Sequence, residues 1–408
     1  MPALVVKLLG AMAFAGVYKF YYGEGDTTEY FRGGNIVYHA FMENPTLGGR
    51  LFFTSPGQTD YSNKIVAETI GGYYNNLTTL TVVRFAAIFN IFALDSFWLT
   101  TLLFAGFSFL GIWALYRTFI SLCPQLETEM AIAVLFMPSV IFWGSGIMKD
   151  TLAMTALAWL IYAGYTIFRH QSITSVLFAS ILAAGCLSLI ITIKAYIIAA
   201  LLPALIYFLP ARLFALFKPG TTRLVIKLFF WGSITLLLYL FSSTLTQILQ
   251  KAIFKFVQMA MDFQGWHGFL AETMSHSSGY SLGKVDFTPG GVAQKIIPSI
   301  IVTLFRPYLY EVRNPVMLLT ALESTFIIGL TAYVLYKTRF TETRKIVANN
   351  NIIAFFLIFS LVFAFAVGFT SYNFGALARY KIPCLPFYVG AFFMILHEYK
   401  KNKTANNS

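Results

Sequence analysis

Charge is what this chain has least of. Only 11% of its 408 residues are Asp, Glu, Lys or Arg, while 58% are hydrophobic. A water-soluble domain of this length could not keep its surface wetted with so few charges. Cysteine is also scarce. Cys123, Cys186 and Cys384 are odd in number, far apart and set in or beside apolar runs. That excludes a disulfide framework or a spaced zinc site and leaves small packing residues. Acidic residues are outnumbered 17 to 29 by basic ones, giving a net charge of +12. Yet the basic residues are scattered through short connections, with no basic stripe interleaved with aromatics, so nucleic acid is excluded as a partner. Topology control and attraction to anionic lipid headgroups account for them. The sequence shows no soluble domain, low-complexity tract or internal repeat.

What is present is a succession of apolar runs, near 3–22, 96–116, 129–147, 151–168, 173–193, 195–211, 224–245, 315–337, 349–370 and 382–398. At about 1.5 Å rise per residue each crosses most of a hydrocarbon core about 30 Å thick. The expected fold class is therefore all-α, a polytopic transmembrane helix bundle of about ten spans. One integral membrane domain covers 1–399, and a polar, frayed cytoplasmic tail covers 400–408. Ala11-Met12-Ala13 has the form of a signal cleavage site. The apolar stretch before it is short and interrupted by Lys7, so the first run stays as a span.

Orientation follows from the short connections. With the N-terminus in the cytoplasm, Arg117, Arg169, Arg212, Lys218, Arg223, Lys227, Lys337, Arg339, Arg344, Lys345, Lys400, Lys401 and Lys403 fall inside, as positive-inside bias requires. Both termini are then cytoplasmic. Two long loops, 23–95 and 246–314, fall outside. Within them Leu77 to Leu94 and Ile248 to Ala271 carry apolar residues at helical spacing, as interfacial helices or packed helices do.

Six places along the chain carry chemistry. The first outer loop opens Gly25-Asp26-Thr27-Thr28-Glu29-Tyr30, with two carboxylates on one helical face. The alternative reading is a capping box, Asp26 as N-cap and Glu29 as its third residue. The third run ends Trp143-Gly144-Ser145-Gly146-Ile147-Met148-Lys149-Asp150, where small residues allow close backbone approach and Ser145 and Lys149 offer donors. Lys194 ends the fifth run and either snorkels or joins an outer cavity. Arg306-Pro307-Tyr308-Leu309-Tyr310-Glu311-Val312-Arg313 offers guanidinium forks suited to phosphate, or else an aromatic belt with an Arg–Glu pair. Glu323 falls inside a span, where an ionisable group is a functional candidate by default. Finally Asn373 to Pro383 places Arg379 and Lys381 outside, against the inside bias. The orientation, fixed from other residues, puts all the loop motifs on one face.

These residues resemble the GT-C superfamily of polyprenyl-phosphate-dependent membrane glycosyltransferases. In that superfamily a short cytoplasmic N-terminus and first helix lead to an acidic residue in a long outer loop with surface-lying helices. The segments 138–150, 304–311 and 373–383 also look like parts of bacterial envelope-polysaccharide membrane proteins. The resemblance implies a multi-pass bacterial inner-membrane enzyme that moves a sugar from a polyprenyl-phosphate carrier to an acceptor on the periplasmic side. It implies Asp26 as catalytic base with Glu29 beside it. It implies Lys149, Lys194, Arg306, Arg379 and Lys381 as phosphate-binding residues, and Tyr30, Trp143, Ser145, Asp150, Glu311 and Tyr380 as lining. No metal-ligand set is expected; a divalent cation at Glu29 is the one cofactor left open. The saccharide, lipid or protein acceptor is not specified. Three rivals stand behind this reading. They are an O-antigen-type polymerase or ligase using His267 or His276, a lipid-linked sugar flippase, and a non-catalytic envelope scaffold.

Overall fold

The computed structural model describes residues 2–56, 76–169, 172–215, 220–240, 242–273 and 279–407. All regular structure among them is helical, apart from a single backbone bridge between Gly279 and Asn373. Six helices are long and apolar enough to cross a membrane, or eight if each of two bent pairs counts as one span. The protein is a multi-pass helical membrane protein. Its chain divides into two compact units, Met1–Ile198 and Ala199–Ser408.

The first unit begins with α1 (Pro2–Gly16), which widens at Val17–Tyr22 before the chain turns at Gly23–Gly25. Next come α2 (Asp26–Glu43), α3 (Pro45–Phe53) and α4 (Leu77–Ala93). Val37 and Ala40 of α2, Leu51 of α3, and Leu80, Val83 and Ala87 of α4 make one apolar core. The stretch expected to be helical at 77–94 is a helix packed on α2. Here Arg84 donates to the carbonyls of Phe52 and Thr54, the first at 2.7 Å and the second at 2.6 Å. Those bonds satisfy the exposed end of α3. The spans α5 (Phe97–Leu122), α8 (Lys149–Phe168) and α9 (Ile173–Lys194) pack in sequence, with α1 against α5. Between α5 and α8 lies a bent pair, Pro124–Leu135 and Pro138–Ser145, which break at 58°. It contains α6 (Glu127–Leu135) and α7 (Pro138–Phe142). Pro138 removes a helical donor and forces the preceding residue out of the helix; Met137 is extended, at ψ 126.

The second unit holds α10 (Tyr196–Ala215, most of which lies in this unit), α11 (Thr221–Leu240) and α12 (Ser242–Thr273). It continues through α13 (Pro289–Gln294), α14 (Ile296–Phe305), α15 (Pro315–Asn349) and α16 (Asn351–Ser371) to α17 (Phe374–Tyr380) and α18 (Leu385–Asn407). α14 packs on α16, and α18 packs on both α15 and α16. Phe359 and Phe387 meet edge-on at 4.8 Å in the buried centre, a geometry aromatic rings favour. α17 and α18 form the second bent pair, at 65°. The tail expected to fray instead prolongs α18 to Asn407, since Lys and Ala are good helix formers.

Lipid is the solvent these surfaces need. Ile173, Leu177, Phe178 and Ile181 of α9 are all more than 60% exposed, an apolar stripe that only another apolar phase can cover. Inside the spans several hydroxyls bond their own helix. Thr101 donates to Phe97 O, Thr118 to Ala114 O and Ser360 to Phe356 O, because no water is there to satisfy them.

Candidate functional site

The acidic motif sits where the chain leaves the first span. Gly25, at φ +155, makes the turn that directs the chain into α2. A side chain there would also meet the Tyr18 ring at 3.0 Å. The helix begins at Asp26, and its cap is not built from the carboxylates. Thr28 Oγ1 accepts from Gly25 N–H at 3.0 Å and donates to Gly25 O at 2.7 Å. The capping-box reading of Asp26 and Glu29 is thereby replaced: threonine does the capping, and both acids line an open cleft. That cleft, about 460 Å³, is lined by Glu24, Gly25, Asp26 and Glu29. Arg32 donates to Glu29 at 2.8 Å, which neutralises one of the acids in a partly exposed pair. Tyr30, one helical turn beyond Asp26 on the same face, is 3% exposed. Lys149 Nζ stands 5.6 Å from the centre of its ring. The structure thus brings Asp26, Glu29, Tyr30 and Lys149 around one turn of α2.

Trp143 and Ser145 of the 138–150 segment are buried. Trp143 is 4% exposed and meets Phe14 of α1 edge-on at 6.1 Å. Ser145 is buried and donates to Ile141 O. A Cβ on Gly146 would stand 2.0 Å from the Phe14 ring, so only glycine lets the broken span lie this close to α1. The break leaves carbonyls without helical donors, and Lys7 fills the need. Its Nζ donates to Val140 O at 2.8 Å and Gly144 O at 2.6 Å, and Ser108 adds a second bond to Gly144 O at 3.0 Å. Lys7 is 2% exposed. In the sequence Lys7 stands out only as an interruption of a signal-like apolar run; its ionisable group inside that run was the available signal.

Asp150 and Lys194, expected as lining and phosphate ligand, pair with each other. Asp150 is 5% and Lys194 9% exposed, so the pair joins the start of α8 to the end of α9 inside the first unit. Two further constellations there were not foreseen. His39 and Asp95 approach to 2.5 Å at the surface. Below them Asn90 donates to Asn35 and accepts from Thr100 at 2.5 Å, a polar ladder between α2, α4 and α5. Residues scattered over 65 positions give no local pattern that would reveal it.

In the second unit Arg306 and Glu311 form a two-pronged pair, with Nε to Oε2 at 3.0 Å and a second, shorter bond between them. Glu311 also accepts from Tyr308 N–H at 2.8 Å. Burial works against this carboxylate, but the guanidinium and the amide outweigh it and hold Glu311 below the usual carboxylate range. The Arg306 guanidinium stacks 5.1 Å from the Phe374 ring. Lys381 and Glu323 are fully buried 3.8 Å apart, and Lys381 donates to Ser324 Oγ at 3.1 Å. Ser324 in turn donates to Arg306 O at 3.0 Å, so one chain of bonds ties α15 to the loop before it and to the α17–α18 break. Arg379 and Tyr380 stay partly exposed and pack on each other at 5.8 Å. His276 and the side chain of His267 lie outside the described residues. Among the described residues no group of three metal-binding side chains gathers. Set beside protein-family models, curated proteins and solved structures, the chain matches none of them.

Proposed function

We propose that this protein is a membrane glycosyltransferase of the GT-C kind, taking a sugar from a polyprenyl-phosphate carrier at the periplasmic side of a bacterial inner membrane. On this reading α10 and α11 also cross, which gives about ten spans with both termini cytoplasmic. The observation that supports it is the acidic cleft immediately after the first span, with Lys149 held over Tyr30 on the Asp26 face of α2. Asp26 takes the proton of the acceptor hydroxyl as its oxygen attacks the anomeric carbon. The bond from that carbon to the carrier phosphate breaks, and the electron pair leaves with the phosphate. The Lys149 ammonium stabilises the charge that develops there. The anomeric centre inverts. Glu29, already neutralised by Arg32, orients Arg32 rather than reacting.

The test is Asp26→Asn in membranes supplied with a radiolabelled polyprenyl-phosphate sugar. Transfer falls by at least a hundredfold, as expected for loss of a general base, while the protein keeps its yield and melting temperature. Transfer at the wild-type rate removes Asp26 as the base.

One alternative has an observation of its own. Two bent helix pairs, read as broken spans, and the buried Glu323–Lys381 pair are features that transporters share. Translocation of a labelled lipid in proteoliposomes without any covalent product would favour that reading.

A further inference from the structure

α15 is 35 residues long, and it is not one straight helix. At Arg339 the backbone leaves helical geometry at φ 57, ψ 154, a conformation that side chains larger than glycine rarely adopt. Such outliers persist only where their surroundings enforce them. Here the enforcement is visible. Thr338, 1% exposed, donates to Val334 O at 2.8 Å and shares a 2.6 Å bond with Thr343. Thr343 donates to Arg339 O at 2.9 Å. The two threonines span the break and hold it open.

The break lines a cleft of about 520 Å³ with Tyr336, Lys337, Thr338, Arg339, Glu342 and, from α18, Tyr399. That volume lies within the roughly 300–1,000 Å³ of ordinary ligand sites. Glu342 is answered by Lys345 at 2.7 Å, which leaves Lys337 and Arg339 to set the sign of the cleft. Lys337 rests 5.9 Å from the Tyr333 ring, and Lys400 and Lys401 follow Tyr399 directly. Depth fits as well. Lys337 stands 22 residues beyond Pro315, about 33 Å along α15 at helical rise, close to one hydrocarbon thickness of about 30 Å. The cleft therefore lies at headgroup level at the far end of this span from Arg306 and Glu311.

We infer that this cleft binds a phosphate group, with Arg339 as a two-pronged donor, Lys337 as a point charge and the two tyrosines as hydroxyl donors. The shared chemistry is that of an anionic phospholipid headgroup or of free phosphate. Guanidinium forks match phosphate oxygens, and basic pockets between spans take up anionic headgroups. The site is independent of the transfer reaction proposed above.

The experiment measures the melting temperature of the full-length protein in a neutral detergent. Dioleoyl-phosphatidylglycerol, dioleoyl-phosphatidylcholine and inorganic phosphate are each titrated in. Arg339→Gly is the key variant, because glycine accepts the positive φ without strain, so losing the side chain with its guanidinium leaves the backbone break in place; Lys337→Gln is the second. Phosphatidylglycerol raises the melting temperature of the wild type and phosphatidylcholine does not. Each variant shifts the half-saturating phosphatidylglycerol concentration about fivefold to tenfold upward. If inorganic phosphate stabilises equally well and Arg339→Gly abolishes it, free phosphate is the ligand. No stabilisation by either anion, or stabilisation that both variants leave untouched, overturns the inference.

Discussion

Lys194 offers a sharp test, because two roles for it make opposite forecasts. Both it and Asp150 are nearly buried, and they face each other. Removing one partner of such a pair strands a charge in a poorly solvating interior, which costs about 3–5 kcal/mol. Replacing both with apolar side chains of similar size strands nothing and is often close to neutral. Lys194→Met and Asp150→Leu should therefore each destabilise the protein by about 3–5 kcal/mol, while the double variant loses less than about 2 kcal/mol. The coupling between them is then about 4 kcal/mol or more, above the roughly 0.5–3 kcal/mol usual for interacting pairs. For a unit of this size about 2–4 °C accompanies each kcal/mol, so the single variants should melt about 6–20 °C lower. Thermal melting of wild type, both singles and the double in one detergent reads the cycle. Strictly additive effects would refute the pairing. A Lys194→Met protein that melts normally but binds carrier lipid weakly would instead return Lys194 to phosphate binding.

Three other outcomes follow from the same geometry. Gly146→Ala drives a methyl into the Phe14 ring and should cost about 1–3 kcal/mol or more; adding Phe14→Leu should recover part of the lost melting temperature, and no recovery would argue against that contact. The Arg306–Glu311 clamp lowers the folded-state pKa of Glu311. Its contribution is therefore present above the ordinary glutamate value near 4.5 and is lost as pH falls through the lower folded value. Glu311→Gln should flatten that acid limb of a melting-temperature profile, and an unchanged profile would count against the clamp. Lys7→Met should expose the connection between α7 and α8 to limited proteolysis, since the carbonyls of Val140 and Gly144 lose their Nζ donor; wild-type resistance would assign those bonds no weight.

The helical membrane character was legible because it rests on composition and on runs of apolar residues, which the bilayer reads at the scale of a whole segment. The two broken spans were half legible. The run at 129–147 was visible, but Pro138 bends it into two pieces; the run at 382–398 is the longer piece of the second bent pair, whose short piece Phe374–Tyr380 fell in the connection before it. Asp26 and Glu29 were singled out as candidates from local spacing, and the close backbone approach at 144–146 was legible from its glycines. Spacing could not say that Thr28, not Asp26, caps α2, because the two arrangements differ only in which side chain turns inward. Nor could it say that Asp150 seeks Lys194, or that Lys381 meets Glu323. Those partners lie 44 and 58 positions apart, and only tertiary packing decides which buried charge answers which. The same limit hid Lys7, whose acceptors are backbone carbonyls that any sequence would supply.

The most direct measurement concerns Asp26. Purified protein in proteoliposomes, given a polyprenyl-phosphate sugar and a membrane extract as acceptor source, should release free polyprenyl phosphate. Asp26→Asn should suppress that release, and Lys149→Gln should weaken it. Phosphate release that persists unchanged in Asp26→Asn, from a protein folded as the wild type, would contradict the account at its root.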